Sequence, residues 1–294
     1  NLQFFDGIET KDIQEILIRS ANDLISLESP NYQYVAARLL LFSLRKGVYK
    51  RHPDQRPHLL QQLRDGIAKG IYDSSLVDFY TTDEWDELDS YIDHDRDYLF
   101  TYAGLRQVVD KYLVQDRSTG EVYETPQFMY MLIAATLFRD YESSRLDYVR
   151  KYYNAISKHK INIPTPVMAG VRTALRQFAS CVLVDSDDTL SSIFTSDMAI
   201  GKYVAQRAGI GINAGRIRGI NAKIRGGEVQ HTGVIPFLKK FEATVRCCTQ
   251  NGIRGGSATV HFPIWHQEIQ DIIVLKNNKG TEDNRVRKLD YSIQ

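Results

Sequence analysis

Between Phe178 and Leu275, short apolar runs alternate with longer amphipathic ones, and this alternation constrains the fold more than any other feature. Phe178 to Asp185, Gly209 to Arg218 and Ser257 to Phe262 read as strands. Asp188 to Ala208, Thr232 to Cys248 and His266 to Leu275 read as helices, with Leu190, Ile193, Phe194, Ile200, Tyr203 and Val204 expected on one face of the first. Connections that contain a helix suit parallel neighbours, so a parallel α/β sheet or barrel is expected here.

The first half reads as helices. Thr10 is placed to cap a helix whose stripe is Ile13, Ile16, Leu17, Leu24 and Leu27. Tyr32 to Lys46 follows, with Gly47 expected just beyond its end. Weaker patterns cover Leu59 to Ala68 and Asp83 to Ile92. Stronger ones cover Leu99 to Leu113, Pro126 to about Tyr141, and Arg145 to Ser157. Tyr112 to Tyr123 reads as a small hairpin turning at Ser118-Thr-Gly120. Two prolines around Thr165 stop helical continuation, so the boundary between the two textures is expected near residue 165. A length of 294 residues suits about two domains.

Lys+Arg 37 against Asp+Glu 36 leaves a net charge of +1, which argues against nucleic acid or an anionic membrane as a partner. No run approaches the roughly 18 apolar residues of a membrane span. The first residues lack the basic start and small-residue cleavage site of a signal peptide. Three cysteines argue against a disulfide framework and for a reducing cytoplasm.

Several groups invite chemistry. Gly209, Gly211 and Gly215 fail the dinucleotide fingerprint, because the spacing is one residue too long and the run follows a helix. Arg216, Arg218 and Arg225 lie in a glycine-containing basic loop, which is either a solvated charge run or a phosphate site. Asp188 is a helix cap or a ligand to a ribose hydroxyl. Gln250 to Gly256, with Arg254, is a mobile loop near an anion or base edge, or a plain turn. Cys181 is a buried strand hydrophobe or a redox thiol. Cys247 and Cys248, adjacent in a helix, are not expected to pair with each other. Asp93-His-Asp-Arg-Asp97 is a carboxylate–imidazole cluster or a salt-bridged helix-end loop. No zinc-type Cys/His spacing and no nucleophile–base–acid set is apparent, so no metal site is expected.

The ordered motifs Pro164-Thr-Pro-Val-Met-Ala-Gly-Val-Arg172, Arg176-Gln-Phe-Ala-Ser-Cys181, Gln206-Arg-Ala-Gly-Ile-Gly-Ile-Asn213, Arg225-Gly-Gly-Glu228, His231-Thr-Gly, Gly252-Ile-Arg-Gly-Gly256 and Leu275-Lys-Asn-Asn278 resemble the large, catalytic subunit of class I ribonucleotide reductase. Tyr32 to Arg38 and Asp93 to Asp97 extend the resemblance over essentially the whole chain, with bacterial and bacteriophage versions nearest.

The resemblance implies an α/β fold: a mostly helical N-terminal domain, then the first part of a ten-stranded α/β barrel. It would divide the chain into a remnant of an ATP-binding cone (1–50), a helical domain (51–164) and the barrel start (165–294). It also implies roles. Cys181 is one of two cysteines that reduce the substrate ribose. Thr165 and Ser180 hold the diphosphate and ribose of a ribonucleoside diphosphate, with Ala208 and Gly209 near its base. Asp188, Thr189, Leu190, Arg218 and Arg225 bind a deoxynucleoside triphosphate effector at a homodimer interface. Gln250 and Arg254 belong to the loop that carries effector identity to the substrate. Thr10 and Lys46 are remnants of the cone's ATP site.

The partners implied are a second copy of the chain, a metal-containing small subunit that supplies a radical, and thioredoxin or glutaredoxin as reductant; no cofactor is expected in this chain. The location implied is the cytoplasm, of the host if phage-encoded. The radical-bearing cysteine and the partner of Cys181 lie beyond residue 294 in the family. A non-catalytic nucleotide-binding and dimerisation module, or one half of a split reductase, therefore stands as the alternative. Asn251 stands where the family often has glycine, and Cys247 where relatives often have a small residue.

Overall fold

The computed structural model describes residues 5–248, 255–276 and 285–294. The chain divides into two compact units that meet between Phe178 and Ala179. Each is considered by itself.

The first unit is helical: α1 (Thr10–Asp23), α2 (Tyr32–Tyr49), α3 (Leu59–Ala68), α4 (Thr82–Ser90), α5 (Tyr102–Lys111), α6 (Pro126–Phe138), α7 (Arg145–Ser157) and α8 (Thr165–Gly170). Helix α6 forms its centre. Every residue from Pro126 to Ala135 is buried, so this helix is apolar all round and enclosed by its neighbours. Pro126 occupies its first turn, where a missing N–H has no intrahelical partner to lose. Helix α4 starts with a reciprocal capping box between Thr81 and Glu84. The 112–123 segment is the expected narrow hairpin, in which Tyr123 N–H donates to Val114 O at 3.0 Å and Asp116 N–H to Glu121 O at 2.9 Å, with Gly120 at φ +75°.

Three expectations shift in this unit. Thr10 opens α1 as its first helical residue; Glu9 precedes it and no side-chain cap forms. Helix α2 runs through Gly47 to Tyr49, because Tyr49 is buried in the core, and it stops on Lys50 in the left-handed region at φ +54°. Residues 165–178 pack with the helices. Val167, Met168 and Val171 lie against the helical core, and the buried Arg172 is bonded to Glu124, Tyr112 O and Met168 O. The compact units therefore divide 13 residues beyond the expected position of 165, because one buried arginine ties the intervening segment back (178 − 165).

The second unit is a four-stranded parallel sheet. Its strands are β1 (Cys181–Asp185), β2 (Gly209–Asn213), β5 (Ala258–Phe262) and β6 (Asp290–Ile293), in that order across the sheet. A two-residue hairpin, β3 (Lys223–Ile224) and β4 (Val229–Gln230), lies in the loop after β2. Helices α9 (Leu190–Ala205), α10 (Ile235–Cys247) and the short α11 (Ile269–Ile272) complete it. Strand residues alternate between faces. Ile210, Ile212, Val260 and Phe262 pack in one core with Ile193, Ile200 and Val204 of α9 and with Leu238, Phe241 and Val245 of α10. The expected single face of α9 is in fact two: Ile193, Ile200 and Val204 are buried, while Leu190, Phe194 and Tyr203 are exposed. Ile193 and Phe194 are consecutive, so about 100° of helix separates them.

Candidate functional site

The sheet presents its other face openly. Register pairs Cys181 with Gly209, Leu183 with Gly211, and Asp185 with Asn213, and the next strand places His261 beside Asn213. Period-2 alternation therefore sets Cys181, Leu183 and Asp185 in one row and two glycines in the next. A Cβ at Gly211 would come within 2.6 Å of the Leu183 side chain, so glycine lets leucine lie across the neighbouring strand. A cavity of about 670 Å³ opens on this face, lined by Leu183, Asp185, Asn213, Arg216, His261 and Trp265 among others. Asp185 organises its polar side. It accepts from Asn213 Nδ2 at 2.7 Å and pairs with Arg216 Nη1 at 3.0 Å.

Cys181 is a free, exposed thiol at the start of β1. The Ser180 carbonyl accepts the Gly209 N–H at 2.8 Å, which fixes the two strand starts side by side. Ser180 Oγ lies 3.9 Å from Cys181 Sγ. The thiol is thus no buried strand hydrophobe. Ala208 is fully buried.

The opposite ends of the strands lead to a second cluster. Thr189, not Asp188, is the N-cap of α9, and its Oγ1 accepts the Ser192 N–H at 3.1 Å. Asp188 is thereby free to turn to the loop after β2. Its Oδ1 accepts the Arg218 backbone N–H at 2.8 Å and its Oδ2 accepts Arg218 Nε–H at 2.7 Å. Arg218 Nη1 donates to Lys223 O at 3.1 Å, and Leu190 stands exposed in the first turn of α9. Arg225 lies between β3 and β4 at φ +51°, followed by Gly226 and Gly227 at +71° and +104°. Of the sequence-derived effector residues, the structure brings Asp188, Thr189 and Arg218 together and places Arg225 on the hairpin of the same loop. Gln250 and Arg254 lie outside the described residues.

Two buried residues hold this loop and were not anticipated. Glu268 Oε2 accepts the N–H groups of Ile220 at 3.0 Å and Val234 at 2.8 Å. His266 Nε2 bonds Ile217 O at 2.8 Å. Nothing in local periodicity marks them, because their partners lie 34 to 49 residues away. Asp185 and Asn213 were also missed, although counting by twos from Cys181 and Gly209 reaches both.

In the helical unit, Thr165 is the first residue of α8 and half-buried. Thr10 and Lys46 are both exposed. Gln14 Nε2 donates to Leu39 O at 2.9 Å across the hairpin of α1 and α2, which puts Thr10 and Lys46 toward the same end of it. The Asp93–Asp97 segment is a helical turn with two ion pairs, Arg96 to Asp93 and the buried Arg45 to Asp97. His94 sits within it with both ring nitrogens buried and unpartnered. Burial, Arg56 and Arg45 push this imidazole down to about 3. Burial pushes Asp97 up to about 6 against the pull of Arg45. The cluster is structural rather than an acid–base pair.

Among the described residues no group of three or more His, Cys, Asp or Glu is placed to hold a metal, and no helix is long and apolar enough to cross a membrane.

The profile of the ribonucleotide reductase all-alpha domain matches residues 98–176, and that of the barrel domain matches residues 179–294. The chain belongs to the ribonucleotide reductase large-subunit family. It is 54% identical to the ribonucleoside-diphosphate reductase subunit alpha of Haemophilus influenzae, over all of this chain and 39% of that one. It is 52% identical to subunit alpha of ribonucleoside-diphosphate reductase 1 of Escherichia coli, again over all of this chain and 38% of that one. The corresponding subunit of Enterobacteria phage T4 is 49% identical over 98% of this chain and 38% of its own length. The chain thus spans under two fifths of the curated relatives it matches. The alpha subunit of the class Id ribonucleotide reductase of Actinobacillus ureae shares the fold at a TM-score of 0.50 and 15% identity, over 69% of this chain and 33% of that one. In this reductase-family chain the helical domain precedes the beginning of the barrel, as the texture of the sequence led us to expect.

Proposed function

We propose that this chain supplies one reducing cysteine and the effector site of a ribonucleoside-diphosphate reductase. The observation that carries the reading is the exposed Cys181 thiol at the edge of an open sheet face, set in register beside Gly209 and next to Ser180. Cys181 works with a second cysteine supplied outside residues 1–294. The two thiols close a disulfide. Their two electrons and two protons convert the ribose C–OH to C–H and let the hydroxyl leave as water. Thioredoxin or glutaredoxin restores the thiols by exchange. A metal-containing small subunit provides the radical that activates the substrate.

Ser180 contacts the ribonucleoside diphosphate, Ala208 and Gly209 stand near its base, and Thr165 keeps the diphosphate role that the family resemblance gives it. Arg218 and Arg225 take the phosphates of a deoxynucleoside triphosphate, and Asp188 its ribose, at the start of α9 where helix N–H groups favour anions. Gln250 and Arg254 relay effector identity. Leu190, Phe194 and Met198 form an exposed apolar stripe at four-residue spacing on α9, which supports pairing with a second copy. Thr10 and Lys46 belong to an ATP site. The enzyme works in the cytoplasm.

The second reading, a nucleotide-binding and dimerisation module without chemistry, is favoured by the ion pair that already orients Arg218 on Asp188. Calorimetric titration with dTTP and a CDP-reduction assay with a small subunit and thioredoxin separate the two. Binding together with turnover that Cys181→Ser abolishes supports the reductase. Binding with no turnover in any complemented form supports the module. No binding overturns the effector site in both.

A further inference from the structure

Cys247 is the last residue of α10 and Cys248 its C-cap. Consecutive helical side chains point about 100° apart, so two neighbouring cysteines inside a helix stay separate. Here the helix ends at the second of them. The Cys248 N–H still donates to Thr244 O at 3.2 Å, but its own φ of −95° and ψ of 89° have left the helix. The chain leaves the helix beyond Cys248, and the two side chains turn their sulfurs toward each other, 3.8 Å apart. Both thiols are free; Cys247 is exposed and Cys248 half-buried. Gly201 on α9 makes room for the pair, because a Cβ there would stand 3.3 Å from Cys248 Sγ.

Two chemistries join neighbouring sulfurs, and the geometry separates them. A disulfide needs sulfurs about 2.05 Å apart and favours Cα atoms about 4.4–6.8 Å apart. Neighbours across a trans peptide have Cα atoms about 3.8 Å apart. A single bridging atom with bonds of about 2.3 Å to each sulfur, the usual metal–thiolate length, reaches across up to about 4.6 Å. The observed separation suits a bridge. Among the described residues there is no third ligand of metal-binding type grouped with the pair, so a four-coordinate zinc site is not built here. The fitting occupant is a centre satisfied by two thiolates.

We propose that Cys247 and Cys248 form a vicinal dithiol site that chelates a trivalent organoarsenical. With an arsine oxide, two S–H bonds break and two As–S bonds form. Both protons leave with the oxide oxygen as water, and arsenic stays trivalent, so no oxidant or reductant is needed. Cys247, the exposed sulfur, meets the reagent first and Cys248 closes the ring. Cys181, a solitary thiol on another element, can give only a single-sulfur adduct, which competing monothiol removes.

The test treats the chain with phenylarsine oxide in excess 2-mercaptoethanol, removes small molecules, and reads intact mass, free thiols and far-ultraviolet circular dichroism. The expected result is one retained phenylarsenic group, a fall from three free thiols to one, and an unchanged spectrum. Cys247→Ser and Cys248→Ser should each lose the adduct, Cys181→Ser should keep it, and 2,3-dimercaptopropanol should release it. Retention by Cys247→Ser, no retention by the unsubstituted chain, or an adduct that forms only with loss of helical signal would each overturn the proposal.

Discussion

Asp188 grips Arg218 at two points, taking its backbone N–H on one carboxylate oxygen and its Nε–H on the other. The side chains are about a third exposed, at 36% and 30%, so the pair stands at the surface but is already oriented. Fixing the guanidinium before a ligand arrives lowers the ordering cost of binding an anion. Charge-assisted hydrogen bonds contribute about 1.5–3 kcal/mol each. Arg218→Ala should therefore weaken dTTP binding about tenfold or more. Arg218→Lys should recover only part of the loss, because an ammonium lacks the planar fork. Calorimetric titration reads both, and an unchanged affinity in Arg218→Ala would remove Arg218 from the site.

Much of this was legible where local pattern and packing agree. The helices Leu59–Ala68 and Arg145–Ser157 were readable to the residue, and the three strands were found with overlong ends. What sequence could not show depended on distant partners. Gly47 looked like a helix stop until Tyr49, one half-turn on, proved to be core. Strand β6 carries no apolar run, and its register comes from β5, 28 residues earlier (290 − 262). Asp188 had two open readings, cap or ligand, and only the capping bond of Thr189 settles that it is not the cap. The alternation that exposes Cys181, Leu183 and Asp185 together was in the sequence, but which face was open was not.

Glu268 should control the loop proposed to hold an effector without itself touching one. Its carboxylate satisfies two N–H groups at either end of the segment from Ile220 to Val234. Removing the acceptor leaves those donors unpaired, at about 1–3 kcal/mol each where they are shielded from water. In Glu268→Ala, hydrogen exchange across residues 220–234 should accelerate at least tenfold while that of β1 and β2 stays slow. Exchange that rises equally throughout the second unit would mean Glu268 supports the whole core.

Arg172 and Glu124 are both fully buried and form an ion pair, with Tyr72 and the Val114 N–H completing the carboxylate's partners. Breaking a buried pair from one side strands a charge, at about 3–5 kcal/mol. Arg172→Met should lower the unfolding free energy of the helical unit, read by urea titration, by about that amount. Arg172→Met combined with Glu124→Gln should cost less than the two single changes added together, since no charge is left unpaired. Strict additivity would show that the two side chains do not act as a pair.

His94 and Asp97 should give the helical unit opposing pH responses. In the folded chain His94 is held at about 3, whereas an unfolded histidine titrates near about 6.5. As pH falls below about 6.5 the unfolded state takes up the proton first, so His94 removes stability on acidification. Asp97 is held at about 6, above the roughly 3.9 of an unfolded aspartate. The folded state keeps that proton longer, so Asp97 removes stability as pH rises from about 4 to 6. Each contributes a slope of up to about 1.4 kcal/mol per pH unit, and between pH 4 and 6 they offset. His94→Leu deletes the first slope and leaves the edge-on contact with Phe128 to an apolar group. Urea unfolding at pH 4, 5, 6 and 7 should show the variant gaining on the parent by up to about 1.4 kcal/mol for each unit below pH 6. A difference that stays constant across the window would mean that the His94 ring is not held neutral by its burial.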